Sequence, residues 1–210
     1  KGVERPALGT IYPTATGWAF LLDIGANTEV KPEYLYQFAV MGSAYAQQVM
    51  GIASPRVALL SNGEEEGKGP LVVREAYALL KNSKLNFVGN AEGKDVPNGV
   101  ADVIVSDGYA GNIVIKLSEG LAAVLVGFIK SEIKKRPIAV LGAALAKPAF
   151  DALRARLDYA EIGGGILLGV DGVAIIGHGR SNAKAIKNAI RVAKRAVEGN
   201  MLDAIRSGLQ

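Results

Sequence analysis

The strongest constraint on this chain is a rhythm of short apolar runs. Trp18–Ile24, Arg56–Leu60, Leu85–Val88, Val100–Val105 and Val173–Ile176 each give way to a polar, glycine-bearing loop. Runs without polar alternation suit strands buried on both faces. Helical spacing follows most of them. Lys31-Pro32-Glu33 opens a helix through Leu35, Phe38, Ala39, Gly42, Tyr45, Ala46 and Val49, which Gly51 stops. A second helix surrounds Pro70–Leu80. A third starts at Ile113, with a stripe through Leu117, Leu121, Val124, Leu125, Phe128 and Ile129. Helices over Ala183–Val197 and Met201–Leu209 close the chain, and Arg5–Thr16, with Pro6 and Pro13, reads as an extended lead-in. The alternation predicts an α/β fold: a mainly parallel sheet with helices on both faces. No linker divides the chain.

In such sheets a ligand binds beyond the carboxyl ends of the strands. The loops Asp23–Asn27, Ser61–Gly69, Gly89–Asp95, Asp107–Asn112 and Gly177–Asn182 are therefore expected to converge on one edge. They offer Lys68, Lys94, Lys116 and Arg180 as cations. Asn27, Asn62, Asn90, Asn112, Ser181 and Asn182 are neutral hydrogen-bonders, and glycine backbone adds N–H donors. That inventory suits phosphate or a developing oxyanion. Within Asp107–Lys116, Gly108 and Gly111 permit close approach of a ligand. Asn112 is placed to cap the following helix, free N–H groups there favour an anion, and Lys116 lies one turn on. A capped turn without a ligand is the plainer alternative. His178 can act as a general base or bond a substrate oxygen, or simply be satisfied by backbone. Ser181 does not stand in a GxSxG elbow, and it or Asn182 can cap a helix.

Composition removes several chemistries. The 210 residues contain no cysteine, so disulfides, thiolate metal sites and a cysteine nucleophile are excluded. His178 is the only histidine, which rules out a histidine-rich metal centre. Asp23, Glu64–Glu66, Glu92, Asp95 and Asp107 can bind Mg²⁺ but equally cap helices or orient lysines, and no metal is assigned. Gly63–Lys68 lacks the phosphate-loop spacing and Gly163–Gly165 is no dinucleotide fingerprint, so no cofactor is expected. A net charge of +4 fits anionic small molecules, an acidic protein or an anionic membrane as well as nucleic acid. No signal peptide stands at Lys1–Thr10, and no apolar run is expected to span a bilayer. Lys130–Arg156 sets basic residues around apolar Ile138–Ala146, between Pro137 and Pro148. It reads as a helical hairpin at a dimer interface, as an amphipathic membrane contact, or as ordinary core with a solvated face.

LLDIGAN at 21–27, NGEEEGKG at 62–69, NFVGNAEGKD at 86–95, DGYAGNIVIK at 107–116, EIGGGILLG at 161–169 and HGRSN at 178–182 occur in order. Together they resemble the bacterial phosphate acyltransferase family over nearly the whole chain from Arg5. The family has a further N-terminal part. The resemblance therefore makes 1–210 the C-terminal portion, with 130–157 a basic, apolar helical insertion.

The resemblance implies transfer of a fatty acyl group from acyl-acyl carrier protein to inorganic phosphate. The product is an acyl phosphate for phospholipid synthesis, used by a membrane glycerol-3-phosphate acyltransferase. It implies a fold like the phosphotransacetylases and the isocitrate and isopropylmalate dehydrogenases, with two α/β domains around a cleft. It also implies a homodimer in the cytoplasm, on the inner face of the cell membrane, touching it through 137–147, with no nucleic-acid partner. In its terms Gly111, Asn112, Lys116 and Arg180 hold phosphate, with Asn27, Lys68, Asn90 and Lys94 nearby. His178, Ser181 and Asn182 polarise the carbonyl or assist proton transfer, and Asp107 orients a lysine or Asn112. Phosphate is itself the nucleophile, so no acyl-enzyme is required. The alternatives are a dehydrogenase of the isocitrate-like fold and a non-catalytic fragment that binds carrier protein or membrane.

Overall fold

A computed structural model describes residues 2–157, 159–179 and 181–209. The elements are β1 (Ala7–Thr14), β2 (Gly17–Leu22), α1 (Pro32–Gln48), β3 (Val57–Leu60), α2 (Leu71–Lys81), β4 (Phe87–Ala91) and β5 (Val103–Val105). They continue as α3 (Gly108–Lys134), α4 (Pro137–Leu145), α5 (Lys147–Leu157), α6 (Tyr159–Ile162), β6 (Gly165–Leu168), β7 (Ala174–Ile176), α7 (Ala183–Glu198) and α8 (Met201–Gly208).

The strands form one sheet in the order β4-β3-β5-β2-β1-β6-β7. Pairings β4–β3, β3–β5 and β5–β2 are parallel, whereas β2–β1, β1–β6 and β6–β7 are antiparallel. The sheet is thus mixed, which corrects the mainly parallel expectation. Two strands hidden in the sequence cause the difference. The lead-in is β1, where Pro13 lies beyond Gly9, the last residue bonded to β6, so its missing N–H falls on an open margin. The glycine-rich stretch holds β6, where Gly163 takes φ +88° and a methyl would collide with the backbone of Ala189 in α7.

Alternation along the strands builds two core layers. Phe20, Leu22, Val57, Leu59, Val103, Val105, Ile166 and Leu168 face α1, α2, α7 and α8. Leu21, Ala58, Ile104 and Tyr12 face the other way, where Val114 and Ile115 of α3 cover them. Phe20 stacks on Tyr45 of α1 at 4.1 Å between ring centres. Each fully buried large side chain contributes about 1.5–3 kcal/mol. Gly42 brings α1 onto the sheet, since a Cβ there would sit 2.6 Å from Val103.

Beyond its first turns α3 leaves the body. Only Gly108 and Gly111 of its 27 residues are buried, and α4 has no buried residue. The stripe read from Ile113 onward is exposed throughout and no residue from 130 to 155 is buried, which removes the reading of Lys130–Arg156 as ordinary core. Length and composition of α3 also satisfy the requirement for crossing a bilayer, correcting the expectation that no segment does. Its base is held by Asp107 and by a Tyr12–Ser118 hydroxyl bond of 2.8 Å.

Candidate functional site

β2, β5, β3 and β4 are parallel neighbours, so the loops after them share one edge. β7 runs against β6, β6 against β1 and β1 against β2, so β7 points the other way. The expected gathering of five loops is therefore four. The segment Gly177–Asn182 leaves in the opposite sense, and β7 is separated from β5 by four strand spacings, about 19 Å at ~4.8 Å each.

The loop after β2 is built on Asp23. Its buried carboxylate accepts from the backbone N–H groups of Leu8, Gly25, Ala26 and Asn27 and from Asn27 Nδ2, at 2.8–3.2 Å. Asn27 Nδ2 also donates to the Pro6 carbonyl at 2.7 Å, so this predicted ligand is committed to the loop. The loop after β5 locks onto it. Ser106 Oγ donates to the Asp23 carbonyl at 2.9 Å, and Gly108 N–H donates to the Asn27 carbonyl at 2.6 Å. A methyl on Gly111 would run into the Asp23 carbonyl oxygen and lie 2.6 Å from Ser106 Oγ. The close approach that Gly108 and Gly111 permit is thus by the chain's own backbone.

The start of α3 also differs from expectation. Asp107 caps it, accepting from Ala110 N–H at 2.7 Å, and Gly111 N–H reaches the Asp107 carbonyl at 3.0 Å. Asn112 is therefore no cap, Asp107 bonds no lysine among the described residues, and the Gly111 N–H is taken up by the Asp107 carbonyl. Asn112 and Lys116 stand one turn apart, exposed on α3.

The loops after β3 and β4 make a second cluster. Asn90 lies inside β4 rather than in a loop, because β4 runs on to Ala91 past a register shift that Gly89 takes up at φ +101°. Asn90 Nδ2 donates to the Glu65 carbonyl at 2.9 Å and pins the acidic loop. Asn90 Oδ1 and Ser61 Oγ are buried without a protein partner among the described residues. Lys94 pairs with Glu92 and lies 3.5 Å from Glu64, and these contacts hold its pKa above the ordinary lysine value. Carboxylate oxygens of Glu64, Glu92 and Asp95 lie within 4.8 Å of one another, and Lys94 already offsets their charge. Lys94 is therefore held by carboxylates. Lys68 and Lys116 are exposed, with no carboxylate partner among the described residues.

In the segment after β7, Asn182 caps α7, accepting from Ala185 N–H at 3.0 Å. Ser181 N–H donates to the His178 carbonyl at 2.8 Å, and the His178 ring is exposed. Arg180 lies outside the described residues. The structure thus brings Asn112, Lys116 and Lys68 to the strand-end edge, places His178, Ser181 and Asn182 elsewhere, and spends Asp107, Gly111, Asn27 and Lys94 on scaffold. Ser106 escaped the sequence reading, Ser61 entered it only as the start of a loop, and Asp23 entered only as a carboxylate able to bind Mg²⁺, cap a helix or orient a lysine, whereas it organises its own loop. The signal for Asp23 was a carboxylate just ahead of Gly-Ala-Asn, a self-bonded turn.

A cavity of about 620 Å³ opens elsewhere, where α1 ends, between Thr14, Trp18, Tyr45, Met50 and Arg195. Burial there pushes the Tyr45 phenol up to about 12, against the opposing charge of Arg195.

A family model described as "Fatty acid synthesis protein" matches residues 1–203. A phosphate acyltransferase of Heliobacterium modesticaldum is 56% identical over 206 residues, 98% of this chain and 62% of its own length. One from Elusimicrobium minutum is 54% identical, over 98% of this chain and 60% of its own. The chain thus spans about three-fifths of the length of the relatives it matches. A branched-chain phosphotransacylase from Enterococcus faecalis has the same fold at TM-score 0.58 and 16% identity, covering 92% of this chain and 64% of its own. The chain belongs to the fatty acid synthesis protein family.

Proposed function

We propose that the complete protein transfers a fatty acyl group from acyl-acyl carrier protein to inorganic phosphate, feeding phospholipid synthesis. The observation that carries this reading is the strand-end edge. Among the described residues the side chains of Lys68, Asn112 and Lys116 are uncommitted there, beside a scaffold in which Asp23 and Asp107 are already bonded. Two cations and an amide suit a phosphate dianion. A phosphate oxygen attacks the thioester carbonyl, the tetrahedral oxyanion collapses, and the carrier thiolate leaves and takes up a proton. The protein has to hold phosphate, orient it and stabilise the oxyanion. His178 and Ser181, which follow the reversed β7, stand outside this centre. The transferase names of the relatives favour this reading over a nicotinamide-dependent dehydrogenase, which a cofactor titration would reveal.

The decisive measurement is phosphate-dependent release of thiol from acyl-acyl carrier protein. It is run on this chain and on one extended by the portion found in the longer relatives. Release by the extended chain is expected, with Asn112→Ala and Lys116→Ala each lowering kcat/KM about 100-fold or more. Unchanged rates in both variants overturn the site. Thiol release by neither chain leaves the non-catalytic fragment as the correct reading.

The same proposal includes a homodimer in the cytoplasm that rests on the inner membrane face and hands acyl phosphate to a membrane glycerol-3-phosphate acyltransferase. Support comes from α4, where Leu141 is 69% and Leu145 86% exposed beside Lys134, Lys135 and Arg136. Apolar side chains in a basic frame suit anionic lipid. Leu141→Glu should weaken binding to anionic liposomes, and unchanged binding would assign α4 to the dimer alone.

A further inference from the structure

The cavity where α1 ends lies at the opposite edge of the sheet from Lys68 and Asn112. Its wall includes Thr14 and Trp18 at the β1–β2 turn, and Arg56 and Asp102 just ahead of β3 and β5. β2 runs from that edge to the strand-end edge, Gly17 to Leu22, over five steps of ~3.4 Å, about 17 Å. The cavity is thus set apart from the edge proposed to hold phosphate.

Most of its wall is apolar. Ile11, Val49, Met50, Ile52 and Val192 line it and are only half-buried, and Trp18 lines it while 41% exposed. Its volume of about 620 Å³ falls within the roughly 300–1,000 Å³ of small-molecule sites. Most of its polar groups are already bonded. Arg56 is spent on Asp102 at 2.9 Å and Glu161 on Lys184 at 2.6 Å, and the Thr14 and Thr16 hydroxyls lie 3.4 Å apart. Tyr45 and Arg195 are left over. Tyr45 lines the cavity and is 2% exposed, and its hydroxyl makes no hydrogen bond among the described residues. Burial disfavours the phenolate, so at neutral pH the group is a hydrogen-bond donor. Arg195 lies near enough for its charge to act on that phenol, and has no carboxylate partner among the described residues.

A guanidinium near an unbonded hydroxyl recognises an anionic head. A single unpaired cation matches a carboxylate better than a phosphate dianion. The aliphatic wall suits a hydrocarbon chain, and the indole at the mouth adds apolar contact. We propose that the cavity is a binding site for a fatty carboxylate, whose head meets Arg195 and the Tyr45 hydroxyl and whose chain lies along Val49, Met50, Ile52 and Trp18. The site does not depend on acyl transfer, yet it suits the chemistry proposed for the protein. Water hydrolyses an acyl phosphate at its carbonyl to this carboxylate and inorganic phosphate.

Trp18 is the only tryptophan, so binding of dodecanoate, kept below its micellar range, is read from indole fluorescence. A saturable change is expected, with one site per chain by calorimetry. Arg195→Leu should weaken dodecanoate binding about tenfold or more, as loss of a charge-assisted bond does. Dodecanol, with the same chain and no charge, should bind about tenfold more weakly than dodecanoate, and Arg195→Leu should erase that difference. Tyr45→Phe should weaken dodecanoate binding several-fold without lowering the thermal midpoint, because its hydroxyl bonds nothing in the fold. Leu141→Glu with Leu145→Glu, on exposed α4, should leave the affinity unchanged. Equal affinity for dodecanoate and dodecanol, undiminished binding by Arg195→Leu, or loss of binding in the α4 variant overturns the proposal. So does calorimetric binding by this chain that is absent from the extended one, since other residues then fill the cavity.

Discussion

Asp23 shows how one buried carboxylate can decide the shape of a site without taking part in its chemistry. It receives five hydrogen bonds, four of them from backbone N–H groups of two segments, and so ties the loop after β2 to the start of β1. Asp23→Ala leaves those donors buried and unpaired, and should cost about 3–5 kcal/mol in chemical denaturation. Asp23→Asn keeps part of the acceptor and should cost less. Gly111→Ala forces a methyl against the Asp23 carbonyl and should lower the thermal midpoint by several degrees, as overpacking of about 1–3 kcal/mol does. A second carboxylate supplies a pH signature. Burial pushes the Asp102 carboxyl up, but hydrogen bonds from Arg56 outweigh it and hold the group below the usual carboxylate range. The folded form therefore ionises more readily than the unfolded one. Its stabilisation is present above the ordinary carboxylate value, near pH ~4, and is lost as pH falls through the lower folded value. Asp102→Asn should flatten the acid limb of a plot of thermal midpoint against pH; an unchanged limb would assign that limb to other groups.

At the scale of elements, the caps are the clearest test. Asp107 and Asn182 each bond an N–H three residues on, and Asp107→Ala or Asn182→Ala should each cost about 1 kcal/mol in urea unfolding. Asp107→Ser should recover most of that loss. The sequence announced α1, α2, α7 and α8, because helical spacing and stop residues agree there, and it announced β2, β3 and β5 as unbroken apolar runs. β1 was obscured by its prolines and β6 by Gly163-Gly164-Gly165, since local propensity there opposed a tertiary pairing that won. Missing those two strands hid the reversal of β7, and the reversal moved His178 and Ser181 away from Asn112. The site was legible as residue types but not as an assembly. A glycine needed by a ligand and a glycine needed by neighbouring backbone look alike in sequence, and only the contact of Gly111 with Asp23 separates them.

At the scale of the whole molecule, a compact mixed sheet carries a long apolar arm. Leu117, Leu121, Phe128, Leu141 and Leu145 are all exposed along α3 and α4. Patches of this kind drive association in water. In sedimentation velocity the chain should run larger than a monomer at micromolar concentration, and Leu141→Glu with Leu145→Glu should shift it toward the monomer. The order of strands bears on how such a chain is made. β1 pairs with β2 through a tight hairpin, yet its other neighbour is β6, drawn from the far end of the sequence. A ribosome therefore releases a half-dressed central strand long before its second partner emerges. The interval leaves β1 open to mispairing with other nascent chains, and makes late arrival of Gly165–Leu168 the step that commits the molecule to its native form.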